Sequence, residues 1–127
     1  MININKKTIN LIVRDQDVNY LFKQFLEYSG YVVDDFTKPS DALLSFNEKK
    51  QDLVLLGLNF SEMDGLTVYK RLKEIDNRVL ILIVTSNLSS AEFIQNIFPE
   101  TKNNILYEPI SLKKLKNKVD SMIRTGI

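Results

Sequence analysis

The chain has no cysteine, no histidine and no tryptophan among its 127 residues, and only 4 glycines and 3 prolines. Without cysteine there is no disulfide framework and no thiolate metal site. Without histidine the commonest metal ligand and the commonest general base are both missing, together with every Ser–His or Cys–His catalytic system. An apolar content of 44% with 26% charged residues excludes a disordered or fibrous chain and suits one domain with a full core. No apolar run approaches the roughly 18 residues that would span a bilayer. The opening segment MININKKTINLIVR has no signal-peptide core, because its first apolar run ends at a charge. A cytoplasmic protein with no membrane contact is therefore expected. Net charge is +1, unevenly spread: residues 102–127 carry 6 Lys/Arg against 2 Asp/Glu, a net of +4, which leaves −3 for the rest. A near-neutral chain without a basic helix–turn–helix gives no reason to expect a nucleic-acid partner.

What the chain does contain is alternation. Five short apolar runs, Ile9–Val13, Tyr31–Val33, Leu53–Leu56, Val79–Val84 and Ile105–Tyr107, are separated by stretches of helical period. Runs rich in Val, Ile and Leu without alternation suit strands buried on both faces. Val18, Leu21, Phe22, Phe25 and Leu26 recur at helical spacing, with Gly30 as the stop. Pro39 starts a second helix, with Ala42, Leu43 and Phe46 inward. Leu66, Tyr69, Leu72 and Lys73 belong to a third, and Phe93, Ile94, Ile97 and Phe98 to a fourth that Pro99 ends. Leu112, Leu115, Val119, Met122 and Ile123 form the inward stripe of a fifth, capped by Ser111. Strict β–α alternation with helix-length crossovers predicts an α/β fold, a doubly wound five-stranded parallel sheet in the order 2-1-3-4-5 with five helices. Residues 1–127 read as one domain with a core over about 8–123, and residues 1–7 and 124–127 as loose ends.

In such a sheet the ligand crevice lies beyond the carboxyl ends of strands 1 and 3. Just after the predicted strands stand Arg14-Asp15-Gln16-Asp17, Gly57-Leu58-Asn59, Thr85-Ser86 and Glu108-Pro109. The segments LIVRDQD, DLVLLGLNFSEMDG, LILIVTS and ILYEPI, in this order and spacing, resemble the receiver domain of two-component response regulators over about residues 8–123. The resemblance implies a flavodoxin-like receiver fold and a place in a phosphorelay. In that family an acidic pair after strand 1 and an aspartate after strand 3 hold Mg²⁺. The strand-3 aspartate accepts a phosphoryl group from a histidine kinase. A Thr/Ser after strand 4 and a Lys before a Pro after strand 5 bind the phosphoryl oxygens.

Carried over position by position, the pattern breaks where the chemistry happens. Gly57 stands at the phosphoacceptor, Arg14 at the first acid and Glu108 at the lysine, while Asp15, Asn59, Thr85 and Pro109 match. The aromatic switch position is Ile105. Glycine has no nucleophile, so no aspartyl phosphate can form there. Mg²⁺ usually needs one or two carboxylates, and the permanent cation of Arg14 repels it, so Mg²⁺ binding is expected to be weak or absent and no other cofactor or metal is implied. The family's three acids and one lysine sum to −2; Arg14, Asp15 and Glu108 sum to −1 with the cation built in. The two exchanges look like a paired reversal of charge, with the Arg14 guanidinium in the metal's place, paired to Asp15 or Glu108.

Plainer roles stand beside these. Asp15 or Asp17 can cap the first helix, Asp64-Gly65 can be a turn into the third, and Thr85 can be a turn hydroxyl. Ser86, Ser89 and Ser90 can cap the fourth helix, and Lys113, Lys114, Lys116 and Lys118 can be a solvated face. A cis peptide at Glu108-Pro109 is implied by the resemblance alone. The reading with most support is a non-enzymatic, phosphorylation-independent docking module, a pseudo-receiver. It would meet a signalling protein or a second copy through helix 4, strand 5 and helix 5, a face carrying Ile105, Tyr107 and Ile110. Two alternatives stay open: an Mg²⁺-dependent phosphoacceptor using Asp15, Asp64 or Thr85, and a small-anion sensor at Arg14.

Overall fold

A computed structural model describes residues 6–59 and 64–127. Its strands are β1 (Thr8–Ile12), β2 (Val32–Phe36), β3 (Leu53–Gly57), β4 (Ile81–Thr85) and β5 (Ile105–Tyr107). Its helices are α1 (Gln16–Tyr28), α2 (Pro39–Glu48), α3 (Gly65–Ile75), α4 (Leu88–Ile97) and α5 (Leu112–Thr125), with a 3₁₀ turn over Pro99–Asn103 that the sequence pattern did not suggest. All strand pairs are parallel and the order is β2-β1-β3-β4-β5, the predicted doubly wound sheet.

The continuous apolar runs have the cause assigned to them. Ile9, Leu11, Leu53, Leu55, Leu82 and Val84 point to one face and meet Phe22, Leu26, Leu115, Val119 and Met122 from α1 and α5. Ile12, Val54, Leu56 and Ile83 point to the other and meet Ala42, Phe46, Val68, Leu72 and Ile94 from α2, α3 and α4. Each fully buried Leu or Ile contributes about 1.5–3 kcal/mol, so these two layers carry most of the stability.

Helix ends follow local chemistry. Gly30 takes φ +102 after α1, the left-handed conformation that stops the helix. Pro39 opens α2, and the Ser111 side chain accepts from the Lys114 N–H at the start of α5. β1, β3 and β4 are displaced from the expected runs by one or two residues, and three further differences have a visible cause. β2 runs on through Asp34 and Asp35, because both carboxylates find partners at this edge: Lys49 and Gln51 reach Asp34, and Lys23 reaches Asp35. The C-terminal segment is not loose, since the Gly126 N–H donates to the Met122 carbonyl and closes α5 in a left-handed cap. At the other end the Lys7 carbonyl accepts from the Val32 N–H, so residue 7 belongs to the sheet edge. Residues 1–5 lie outside the described residues. On α4 it is Ala91 and Ile94 that face the core, while Phe93 and Ile97 are exposed.

A polar residue sits in the middle of the apolar run of β1. Asn10 is 0% exposed on β1, in register with Asp34 and Val54, and neither its Nδ2 nor its Oδ1 has a hydrogen-bond partner among the described residues. A buried polar group left unpaired costs about 1–3 kcal/mol. Asn10→Val should therefore raise the stability by roughly that amount, read as a higher urea midpoint at unchanged slope. A midpoint that stays put or falls would show that the amide is satisfied.

Candidate functional site

The carboxyl ends of β1, β3 and β4 and the loop after β5 enclose a cleft of about 360 Å³. Arg14, Asp15, Gly57, Asn59, Thr85 and Glu108 all line it, so the fold brings together the six residues singled out at the strand ends. The local reasons are simple. β1, β3, β4 and β5 each stop within a residue of where their apolar runs stop, and parallel strands stop at the same edge of the sheet. Glu108-Pro109 is a cis peptide, as the resemblance implied.

The side chains divide by what already holds them. Asp15 caps α1: its Oδ1 accepts from the N–H of Asp17 at 2.9 Å and of Val18 at 3.1 Å. The cap is therefore Asp15 rather than Asp17. Thr85 is 5% exposed and its Oγ1 accepts from the Asn87 N–H at 3.0 Å, which is the turn-hydroxyl role. Asp64 caps α3 by accepting from the Thr67 N–H at 2.7 Å. The cap of α4 is Asn87, accepting from the Ser90 N–H at 3.0 Å, not one of the serines. Asn and Ser rank equally as caps, and the asparagine was the signal available in the sequence.

Arg14 and Glu108 are exposed in the cleft. The ion pairs among the described residues are Lys23–Asp35, Lys49–Asp34 and Lys116–Asp120, and none involves Arg14, Asp15 or Glu108. The expected pairing of Arg14 with Asp15 or Glu108 is thus not formed. Asp15 is committed to the backbone of α1, and an exposed pair would contribute only about 0–1 kcal/mol against full hydration of both partners.

Gly57 is free of any backbone demand. Its φ is not positive, and a Cβ there would meet the Ile12 carbonyl oxygen at 3.6 Å and Val13 Cα at 3.8 Å, ordinary contact distances. Gly65 is the opposite case: a Cβ would lie 2.5 Å from Leu58 Cδ2 and 3.0 Å from Leu58 Cα, so any other residue there would require the Leu58 side chain to move and the β3 loop to give slightly.

Sequence reasoning missed Asn19. It is 2% exposed on α1, and its Nδ2 donates to the carbonyls of Val13 at 3.0 Å and Phe36 at 2.9 Å, tying α1 to the ends of β1 and β2 beneath the cleft. An asparagine on the inward stripe of a helix was the visible signal. The three residues assigned to a docking face separate. Ile105 is 8% exposed within the core, Ile110 packs against the α1/α5 layer, and only Tyr107 is open, its hydroxyl oxygen accepting from Gln95 Nε2 at 3.3 Å. Ile105 is the first residue of β5, and its side chain points to the inner face.

Among the described residues no helix is long and apolar enough to cross a membrane. The sequence profile of the response regulator receiver domain matches residues 10–120. The chain is 28% identical over 117 residues to the response regulator receiver protein CpdR of Brucella abortus, covering 92% of this chain and 97% of that one. It is 29% identical over 117 residues to the transcriptional regulatory protein ZraR of Salmonella typhimurium, covering 91% of this chain but spanning only 26% of ZraR. In structure it is similar to a CheY-like receiver domain protein of Methanospirillum hungatei, with TM-score 0.86 at 18% identity over 96% of this chain and 97% of that one. With the fold, the strand-end cleft and the profile in agreement, this chain belongs to the response regulator receiver domain family of two-component signalling.

Proposed function

We propose that this receiver domain is a degenerate one that works by protein docking and not by accepting a phosphoryl group. The observation that carries the reading is Gly57. The end of β3, the place from which the family's acceptor carboxylate projects into the cleft, offers no side chain although there is room for one. The rest of the cleft is consistent with loss of the chemistry. Asp15 spends an oxygen on two backbone N–H groups, Thr85 spends its hydroxyl on Asn87, and Arg14 places a permanent cation among them. Among the described residues no three acidic side chains are grouped as a metal site. This donor set does not fit a tightly held Mg²⁺, which needs near-octahedral oxygen ligation.

On this reading the module is non-enzymatic and cytoplasmic, and its output face is α4–β5–α5. The exposed apolar and aromatic groups on these elements include Leu88, Phe93 and Ile97 of α4 and Tyr107 of β5, with Lys113 and Lys114 of α5. Lys116 is drawn back to Asp120 at 2.6 Å, so it contributes less free charge than its neighbours.

Amide NMR tests the reading directly. Adding beryllofluoride with Mg²⁺, a mimic of an aspartyl phosphate, should leave the amides around residues 57, 85 and 105 unmoved. Saturable shifts clustered on those residues would establish a working phosphoacceptor of altered design and overturn the docking reading.

A further inference from the structure

The strand-end cleft holds charges of both signs that the fold does not use. Arg14 and Glu108 both line it, both are exposed, and neither forms an ion pair among the described residues. Asp15 adds a second carboxylate, one oxygen of which caps α1. Gly57 leaves open the space that a side chain at the end of β3 would fill, and Val13, Val18 and Val84 give the same cleft an apolar wall. Its volume of about 360 Å³ lies in the range of small-molecule sites. Such sites run from roughly 300 to 1,000 Å³ and combine apolar walls with a few convergent polar groups.

Charge narrows the ligand. The charged residues that line the cleft, Arg14, Asp15 and Glu108, sum to −1. A simple anion would meet Arg14 but also two carboxylates, and a dianion such as phosphate would be opposed most strongly. A simple cation would meet the carboxylates but also a permanent guanidinium. A molecule that carries one charge of each sign answers both ends at no cost in net charge.

We propose that the cleft is a binding site for a small zwitterion of the α-amino acid class, its carboxylate on Arg14 and its ammonium on Glu108. A planar guanidinium offers a carboxylate two parallel N–H donors, which fixes that end of the ligand. The Glu108 carboxylate accepts from the ammonium, and the valine wall takes a neutral side chain. Arg14 and Glu108 remain available for this because an exposed pair between them would gain only about 0–1 kcal/mol over hydration. The inference rests on the reading that the cleft no longer accepts a phosphoryl group, since an acceptor side chain on β3 would occupy the space the ligand needs.

Amide NMR titration of the full chain with the neutral α-amino acids, one at a time up to millimolar concentration, tests it. At least one should give saturable shifts clustered on residues 14, 57, 85 and 108. Its decarboxylated amine and its deaminated acid should each bind about tenfold or more weakly than the amino acid itself. Two variants assign the ends. In Arg14→Gln the amino acid and its amine should bind equally, and in Glu108→Gln the amino acid and its deaminated acid should bind equally. Both positions are exposed, so circular dichroism should be unchanged. No saturable shift with any amino acid, sulfate or phosphate bound more tightly than all of them, or a preference for the amino acid that survives both variants would each overturn the proposal. Beryllofluoride with Mg²⁺ separates the two failures: shifts with it strike the reading beneath, whereas silence with it and with every amino acid strikes this inference alone.

Discussion

Gly57→Asp should fold as well as the parent chain and still take no phosphoryl group from a small acyl phosphate in Mg²⁺-containing buffer. The folding half follows from space and backbone. The position has no positive φ, and the nearest atom to a new Cβ is 3.6 Å away, so the side chain enters the cleft without displacing anything. The chemical half follows from charge. The formal sum would already be the family's −2, but the Arg14 guanidinium would stand where the family has an acid that holds the metal, and Glu108 would meet the phosphoryl oxygens where the family has a cation. The triple variant Arg14→Asp, Gly57→Asp and Glu108→Lys removes both obstacles at the same formal charge and returns each charge to the family's position. It should become labelled, which phosphate-binding gels or intact mass spectrometry would show as a gain from nothing to a substantial fraction. Robust labelling of the single variant would mean that the charge reversal is not what silences the site.

Asn19→Ala should destabilise the domain by about 2 kcal/mol, lowering the urea midpoint. The amide holds two carbonyls, of Val13 and Phe36. The Phe36 carbonyl keeps a second donor in the Val13 N–H at 3.1 Å, so the loss falls mainly on Val13, whose carbonyl would be left buried without its partner. The contrast with Asn10 is instructive. Both asparagines are almost fully buried, yet one satisfies the backbone and the other satisfies nothing among the described residues. Replacing each by an apolar residue should move stability in opposite directions. If both variants fall together, burial alone decides the outcome and the hydrogen-bond account fails. Because Val13 borders the cleft, Asn19→Ala should also shift the amides of residues 13–15.

A third pairing near the sheet edge shows how context sets a charge. Burial would push the Asp120 carboxyl up, but the Lys116 ammonium and the Tyr31 hydroxyl that donates to it hold it below the usual carboxylate range. The same burial, helped by that carboxylate, pushes the Tyr31 hydroxyl well above the usual phenol range. The two residues are 89 positions apart and pin α5 to the start of β2.

The sequence by itself determined the order and kind of the elements, because burial on both faces of a strand and on one stripe of a helix writes a period into the chain that needs no partner to be read. It also determined which six residues end the strands, and parallel strands in one sheet must end at one edge, so the cleft was legible before its shape was known. Tertiary structure alone decided how those residues are used. Asp15 could pair with Arg14, bind a metal or cap a helix, and the backbone N–H groups of α1 took it because they are fixed at hydrogen-bond distance while Arg14 lies in water. Ile105 could face outward or inward, and the pleat of β5 turned it into the core. Asn10 and Asn19 look alike in the chain and differ only in which carbonyls come within reach. Local periodicity depends on nearest neighbours along the chain, whereas hydrogen bonds, charge pairs and the exposure of a surface depend on groups that only folding brings together and on water competing for them.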